Sequence, residues 1–144
     1  MQIEITETPF HVELLGKSGM VPNGDYGEVG RPLMDEMWKA IQDHGIQNSG
    51  VNHWVYLGNS EMFVGVEPAA DAGAGSLKRL SVTMERHARH VHVGPYDQLP
   101  QKWKSLTAEI SQRDEVIKYP SIEIYGHWQQ DPDKLETTIL IGLQ

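Results

Sequence analysis

Cysteine is absent from all 144 residues, so disulfides, thiolate nucleophiles and sulfur-bound metals are excluded, and a reducing compartment suits such a chain. Basic residues are few: 12 Lys and Arg against 20 Asp and Glu give a formal net charge of -8. That balance opposes phosphate backbones. The densest basic cluster, Lys78-Arg79 with Arg86 and Arg89, is short and diluted by Glu85. A direct nucleic-acid partner is not expected, whereas a cationic ligand is electrostatically favoured. No apolar run approaches the roughly 20 residues that span a bilayer. The opening MQIEITETPF lacks the basic and apolar segments of a signal peptide. The expectation is a cytoplasmic protein without a membrane partner. Phosphate-binding and nucleophile motifs are also missing. Gly16-Lys17-Ser18-Gly19 lacks the upstream glycine spacing of a P-loop, and there is no G-x-S-x-G elbow.

The residues that are present describe one α+β domain over 1–144. Hydrophobic residues make up 39% of the chain, enough for a packed core. The segment AADAGAG at 69–75 has loop composition and separates two halves, about 1–70 and 76–144. Each half reads strand, helix, strand, strand. In the first, a strand at 10–15 precedes a Gly-rich loop at 16–30. Pro32 then opens a helix, with Leu33, Met34, Met37, Trp38 and Ile41 on one face and Gly45 as its stop. Strands at 53–57 and 62–66 flank a Gly58-Asn59-Ser60 hairpin turn. In the second half, strands at 80–84 and 88–93 precede a helix that Asp97 caps. Leu99, Trp103, Leu106 and Ile110 form its apolar face, and strands at 121–125 and 137–143 follow.

Aligning the halves sets Trp54-Val55-Tyr56 against Glu123-Ile124-Tyr125. Strand alternation puts Trp54, Tyr56, Glu123 and Tyr125 on one face. The central residues are expected to face the helices, which leaves the other four on the open side of the sheet.

Glu123 stands out as a carboxylate between Ile122 and Ile124. Its bland reading is a solvent-facing strand residue. Its functional reading is a desolvated carboxylate that a bound cation would relieve, with aromatic faces adding about 0.5–2 kcal/mol each. Four Trp and five Tyr against two Phe suit a mixed polar and apolar site. Trp54, Tyr56, Tyr96 and Tyr125 are the pocket candidates, and His127 borders them. Trp38 and Trp103 read as core. His87, His90 and His92 read as solvent-facing strand histidines. No Cys and no third ligand at a recognisable spacing accompanies the His90/His92 pair, so no metal site is expected.

The order His92-Val93-Gly94-Pro95-Tyr96-Asp97, helix, Pro120-Ser121-Ile122-Glu123-Ile124-Tyr125, then Thr137 entering a last strand, resembles the gyrase-inhibitor-like family. Its members include the effector-binding domains of AraC- and MerR-type multidrug regulators and free-standing proteins from mobile gene cassettes. The resemblance covers roughly fifty residues in motif and nearly the whole chain in layout. It implies a duplicated, SHS2-like βαββ fold: an antiparallel sheet with two helices on one face and a ligand groove between the halves. It also implies that Glu123 attracts lipophilic cations, with Tyr125 beside it and Tyr96 lining the site. The family's Thr-Glu is Thr137-Thr138 here. No stretch resembling the regulators' DNA-binding module is left in the sequence, so regulation would need a separate partner or a homodimer. No cofactor is expected. Two alternatives stay open: hydrolysis of strained-ring electrophiles with Glu123 as general base, and tetrapyrrole binding through His92 or His127.

Overall fold

Asp25 accepts the Glu28 backbone N–H at 3.1 Å, and this cap starts the first helix six residues before Pro32. The computed structural model describes residues 2–144. Strands β1 (Glu4–Thr6) and β2 (Phe10–Met20) lead into α1 (Tyr26–His44) and the hairpin β3 (His53–Gly58) and β4 (Glu61–Val66). Strands β5 (Lys78–Met84) and β6 (His87–Val93) lead into α2 (Leu99–Gln112), β7 (Ile117–Tyr125) and β8 (Glu136–Leu143). All pairings are antiparallel within one sheet ordered β1-β6-β8-β7-β3-β4-β2-β5. The units β2-α1-β3-β4 and β6-α2-β7-β8 meet at β3 and β7. Each leading strand, β1 or β5, edges the other unit.

Three details of the sequence reading change. The expected loop at 16–30 is largely regular structure, because β2 runs to Met20 and α1 begins at Tyr26. Gly16 belongs to a close strand approach, not a loop. It pairs with Gly65, and a Cβ there would lie 1.8 Å from the Val64 carbonyl oxygen. Pro32 lies inside α1 rather than in its first turn, where it removes one intrahelical hydrogen bond. Asp97 is not the cap of α2. It sits in a 3-10 turn (Tyr96–Gln98), and the cap position is Gln98, without a side-chain cap. Pro100 occupies the first turn of α2, where a missing N–H costs little.

Both ends of α1 and the β3–β4 turn follow local chemistry. Gly45 ends α1 at φ 61°, a left-handed conformation that glycine takes without a Cβ penalty. Asn59 and Ser60 both adopt positive φ, the turn geometry that matches strand twist in a two-residue hairpin.

The sheet is apolar on both faces. On one face, Met37 and Ile41 of α1 pack with Leu15, Met62, Val64 and Val66. Leu99, Leu106 and Ile110 of α2 pack with Ala88, Ile139, Ile141 and Leu143 on the same face. Leu106 and Ile110 are fully buried, each worth about 1.5–3 kcal/mol. The opposite face carries no helix. There Val12, Leu14, Val55, Phe63, Val82, Met84, Ile122 and Leu140 form one cluster, so the sheet curls until β5 meets β7.

This reverses one expectation. Val55 and Ile124 belong to the helix-free cluster. Trp54, Tyr56, Glu123 and Tyr125 therefore share a face as alternation requires, but it is the helix-covered face. The expectation assumed that branched apolar residues must face helices, whereas the curled sheet supplies them with a core of its own.

Candidate ligand-binding site

The helices cover the two flanks of the sheet, and the central strands β3 and β7 are left between them. The gap is a cavity of about 840 Å³. Its floor comes from β3 and β7, one wall from Tyr26, Gly27, Arg31 and Met34 of α1, and the other from Leu99, Pro100, Trp103 and Thr107 of α2.

Glu123 lies on that floor and is 3% exposed. It is directly opposite Trp54 in the β3–β7 register. Its Oε1 accepts hydrogen bonds from the hydroxyls of Tyr56 and Tyr125, the latter at 2.7 Å. Its Oε2 accepts from Trp103 Nε1 at 2.7 Å. Hydrogen bonds to an ionised acceptor are about twice as strong as neutral ones. Three neutral donors thus solvate the carboxylate, but none neutralises it. Among the described residues no Lys, Arg or His forms an ion pair with Glu123.

The phenols of Tyr56 and Tyr125 are held well above the ordinary tyrosine pKa, first by burial and then by the adjacent Glu123 charge. Both remain neutral donors at physiological pH. Tyr96 is also raised, by burial.

Two edge-to-face aromatic chains flank the carboxylate. Tyr26 meets Tyr56 at 4.9 Å between ring centroids, and Tyr56 meets Trp103 at 5.7 Å. Trp54 meets Tyr125 at 5.6 Å, and Tyr125 meets Tyr96 at 5.2 Å. Such pairs are worth about 0.5–1.5 kcal/mol beyond area burial, and they link the walls to the floor. Gly30 brings α1 close enough for this arrangement: a Cβ there would lie 2.6 Å from the Trp54 ring.

Of the residues singled out in sequence, Glu123, Tyr125, Tyr96, Trp54 and Tyr56 all lie on the cavity wall. His127 does not. It is exposed beside Gly50 at the rim. Trp103 is not a core residue only: its ring edge donates to Glu123 from the helix face. Helical spacing identifies its apolar face but not the polar edge of the indole. Trp38 packs against the α1 core and donates its N–H to Asn52 Oδ1 at 2.8 Å. Tyr26, Tyr119, Arg31 and Trp128 also line the cavity, and no local pattern marks them. Trp128 is 75% exposed on the β7–β8 connection.

The histidines differ from expectation as well. His87 and His92 are buried, not solvent-facing, because β6 lies inside the sheet between β1 and β8. Among the described residues no group of three or more His, Asp or Glu could hold a metal. No helix among them is long and apolar enough to cross a membrane.

A family profile described as the GyrI-like small molecule binding domain matches residues 1–144. The chain belongs to the GyrI-like family. Among curated protein sequences none matches it. Solved structures share its fold at low identity. The C-terminal domain of EcmrR is 15% identical with a TM-score of 0.77, and the match covers 99% of this chain and 97% of that one. EcmrR in a complex with DNA gives 13% and 0.74, and this GyrI-like chain spans 58% of its length. SAV2435, solved bound to tetraphenylphosphonium, is 16% identical with a TM-score of 0.67, covering 100% and 94%. An integron cassette protein from the mobile metagenome of Vibrio cholerae is 11% identical with a TM-score of 0.64, covering 99% and 96%. The GyrI-like chain is thus a small-molecule-binding domain by family.

Proposed function

We propose that this GyrI-like domain binds amphipathic aromatic cations in the cavity between α1 and α2, with Glu123 as the counter-charge. One observation carries the reading. A buried carboxylate sits on an aromatic floor with three neutral donors and, among the described residues, no ion-pair partner. An uncompensated buried charge costs several kcal/mol in effective terms, and a cation entering the cavity recovers that cost. The surrounding rings add cation–π attraction and apolar contact. SAV2435, a protein of the same fold, was solved with such a cation, which supports the ligand class.

The test is a tryptophan-fluorescence titration with tetraphenylphosphonium, using neutral triphenylphosphine oxide as control. Saturable quenching by the cation is expected in the micromolar range, about -8 kcal/mol. Glu123→Gln should weaken it at least about tenfold, a loss of ~1.4 kcal/mol. Equal affinity of wild type and Glu123→Gln would overturn the role of the carboxylate.

A further inference from the structure

The α1 wall of the same cavity carries a charge of the other sign. Arg31 lies there, solvent-exposed, and forms no ion pair among the described residues. Partners are within sequence reach, since Glu28 precedes it by three positions and Asp35 follows by four, spacings at which helical side chains meet. Instead the guanidinium folds back over Gly27, its atoms 3.4–3.6 Å from where a Cβ would stand. Asp25, the acid at that end of the cavity, is engaged in capping Glu28.

Asn52 supplies a second donor on the cavity wall. Its Oδ1 accepts from Trp38 Nε1 at 2.8 Å. An indole N–H only donates, which fixes the amide orientation, and among the described residues Nδ2 has no protein acceptor. Arg31 and Trp38 are seven residues apart on α1, about 10 Å along one face, so Arg31 and Asn52 are successive donors along this wall. The α1 side therefore offers unmatched donors, and the floor offers an unmatched anion.

We propose that the α1 wall, with Arg31 carrying the charge and Asn52 a further donor along it, is a second subsite that takes a carboxylate, so that the favoured ligand is an aromatic zwitterion with its cationic end at Glu123. This rests on the cation-binding reading above and extends it. A purely cationic ligand would feel Arg31 as a repelling charge, whereas a ligand with a carboxylate would turn that repulsion into a charge-assisted hydrogen bond.

Rhodamine 110 and rhodamine 123 provide a matched pair, because the second is the methyl ester of the first and lacks its carboxylate. Affinities would be measured by fluorescence anisotropy at low salt, beside tetraphenylphosphonium. Wild type should prefer rhodamine 110. Arg31→Gln should weaken rhodamine 110 about tenfold or more, the scale of a hydrogen bond to a charged group, and should strengthen rhodamine 123. Asn52→Asp keeps an acceptor for Trp38 and should shift the two dyes in the same opposite directions. If tetraphenylphosphonium binds but Arg31→Gln moves both dyes alike, or neither, the subsite is overturned and the cation reading stands. The same holds if tetraphenylphosphonium binds and neither dye does. If none of the three ligands binds wild type, both proposals fall.

Discussion

Trp103 donates its indole N–H to Glu123 Oε2 at 2.7 Å, joining α2 to the central strand β7 at the one buried carboxylate of the cavity floor. The same helix presents Leu106 and Ile110 to the core beneath it. Helix placement and site chemistry are therefore one arrangement, and substitutions at Glu123 should report on both.

Glu123→Gln and Glu123→Ala should separate charge from hydrogen bonding. In Glu123→Gln the amide oxygen can still accept from Trp103, and the tyrosine hydroxyls can turn to accept from the amide. Removal of the uncompensated charge offsets the weaker hydrogen bonds, so Glu123→Gln should unfold no more readily than wild type. Glu123→Ala leaves three donors without their acceptor, each costing about 1–3 kcal/mol where water cannot reach. Urea unfolding midpoints should place Glu123→Gln at or above wild type and Glu123→Ala below Glu123→Gln.

Gly30→Ala should damage the site from outside it. The added Cβ meets the Trp54 ring at 2.6 Å, so Trp54 or α1 must move. Overpacking of this kind costs about 1–3 kcal/mol, against a helix-propensity gain of about 1 kcal/mol. Thermal unfolding should show net destabilisation, and tetraphenylphosphonium binding should weaken as the ring is driven into the cavity.

Trp128→Ala should do the reverse. A residue this exposed buries little on folding, so its loss should change stability by no more than about 0.5 kcal/mol. Ligand affinity should fall, because its ring is part of the cavity rim. Parallel urea and binding titrations check both halves of the expectation.

Alkaline titration should single out Tyr56 and Tyr125. Their pKa values are raised in the folded protein, so the folded state holds those protons more tightly than the unfolded chain. The resulting stability is complete below the unfolded tyrosine pKa of about 10 and is lost as pH rises through the folded values. Ultraviolet titration should show these two phenolates forming last. Tyr56→Phe should flatten the alkaline loss of stability.

At acid pH one relevant group is His53, whose pKa is lowered chiefly by burial, against the opposing pull of the Val51 carbonyl and Glu67. Here the unfolded chain binds the proton more readily. Stability should be complete above the unfolded histidine pKa of about 6.5 and decline as pH falls through the lowered folded value. Denaturant midpoints measured downward from pH 7.5 should show the decline, reduced in His53→Gln.

How much of this was legible in sequence depended on the range of the interaction. The βαββ repeat was readable because hydrophobic period and turn residues are local: Leu99, Trp103, Leu106 and Ile110 mark a helix wherever it packs. Sequence alone places the start of α1 too late, because Pro32 and the glycines at 16–30 read as loop signals. Gly16 and Gly30 instead serve close approaches to β4 and to Trp54, partners distant in the chain. Strand alternation correctly grouped Trp54, Tyr56, Glu123 and Tyr125.

The sequence by itself therefore determined that a carboxylate and three aromatic rings share one sheet face, because side chains alternate along any strand. Only the tertiary structure decided which face that is. The curl of the sheet builds a second core from Val55, Ile122 and Val82, and this frees the helix-covered face for a cavity. The curl arises from contacts among strands far apart in sequence, and so do the Trp103 donor and the Arg31 wall on either side of Glu123.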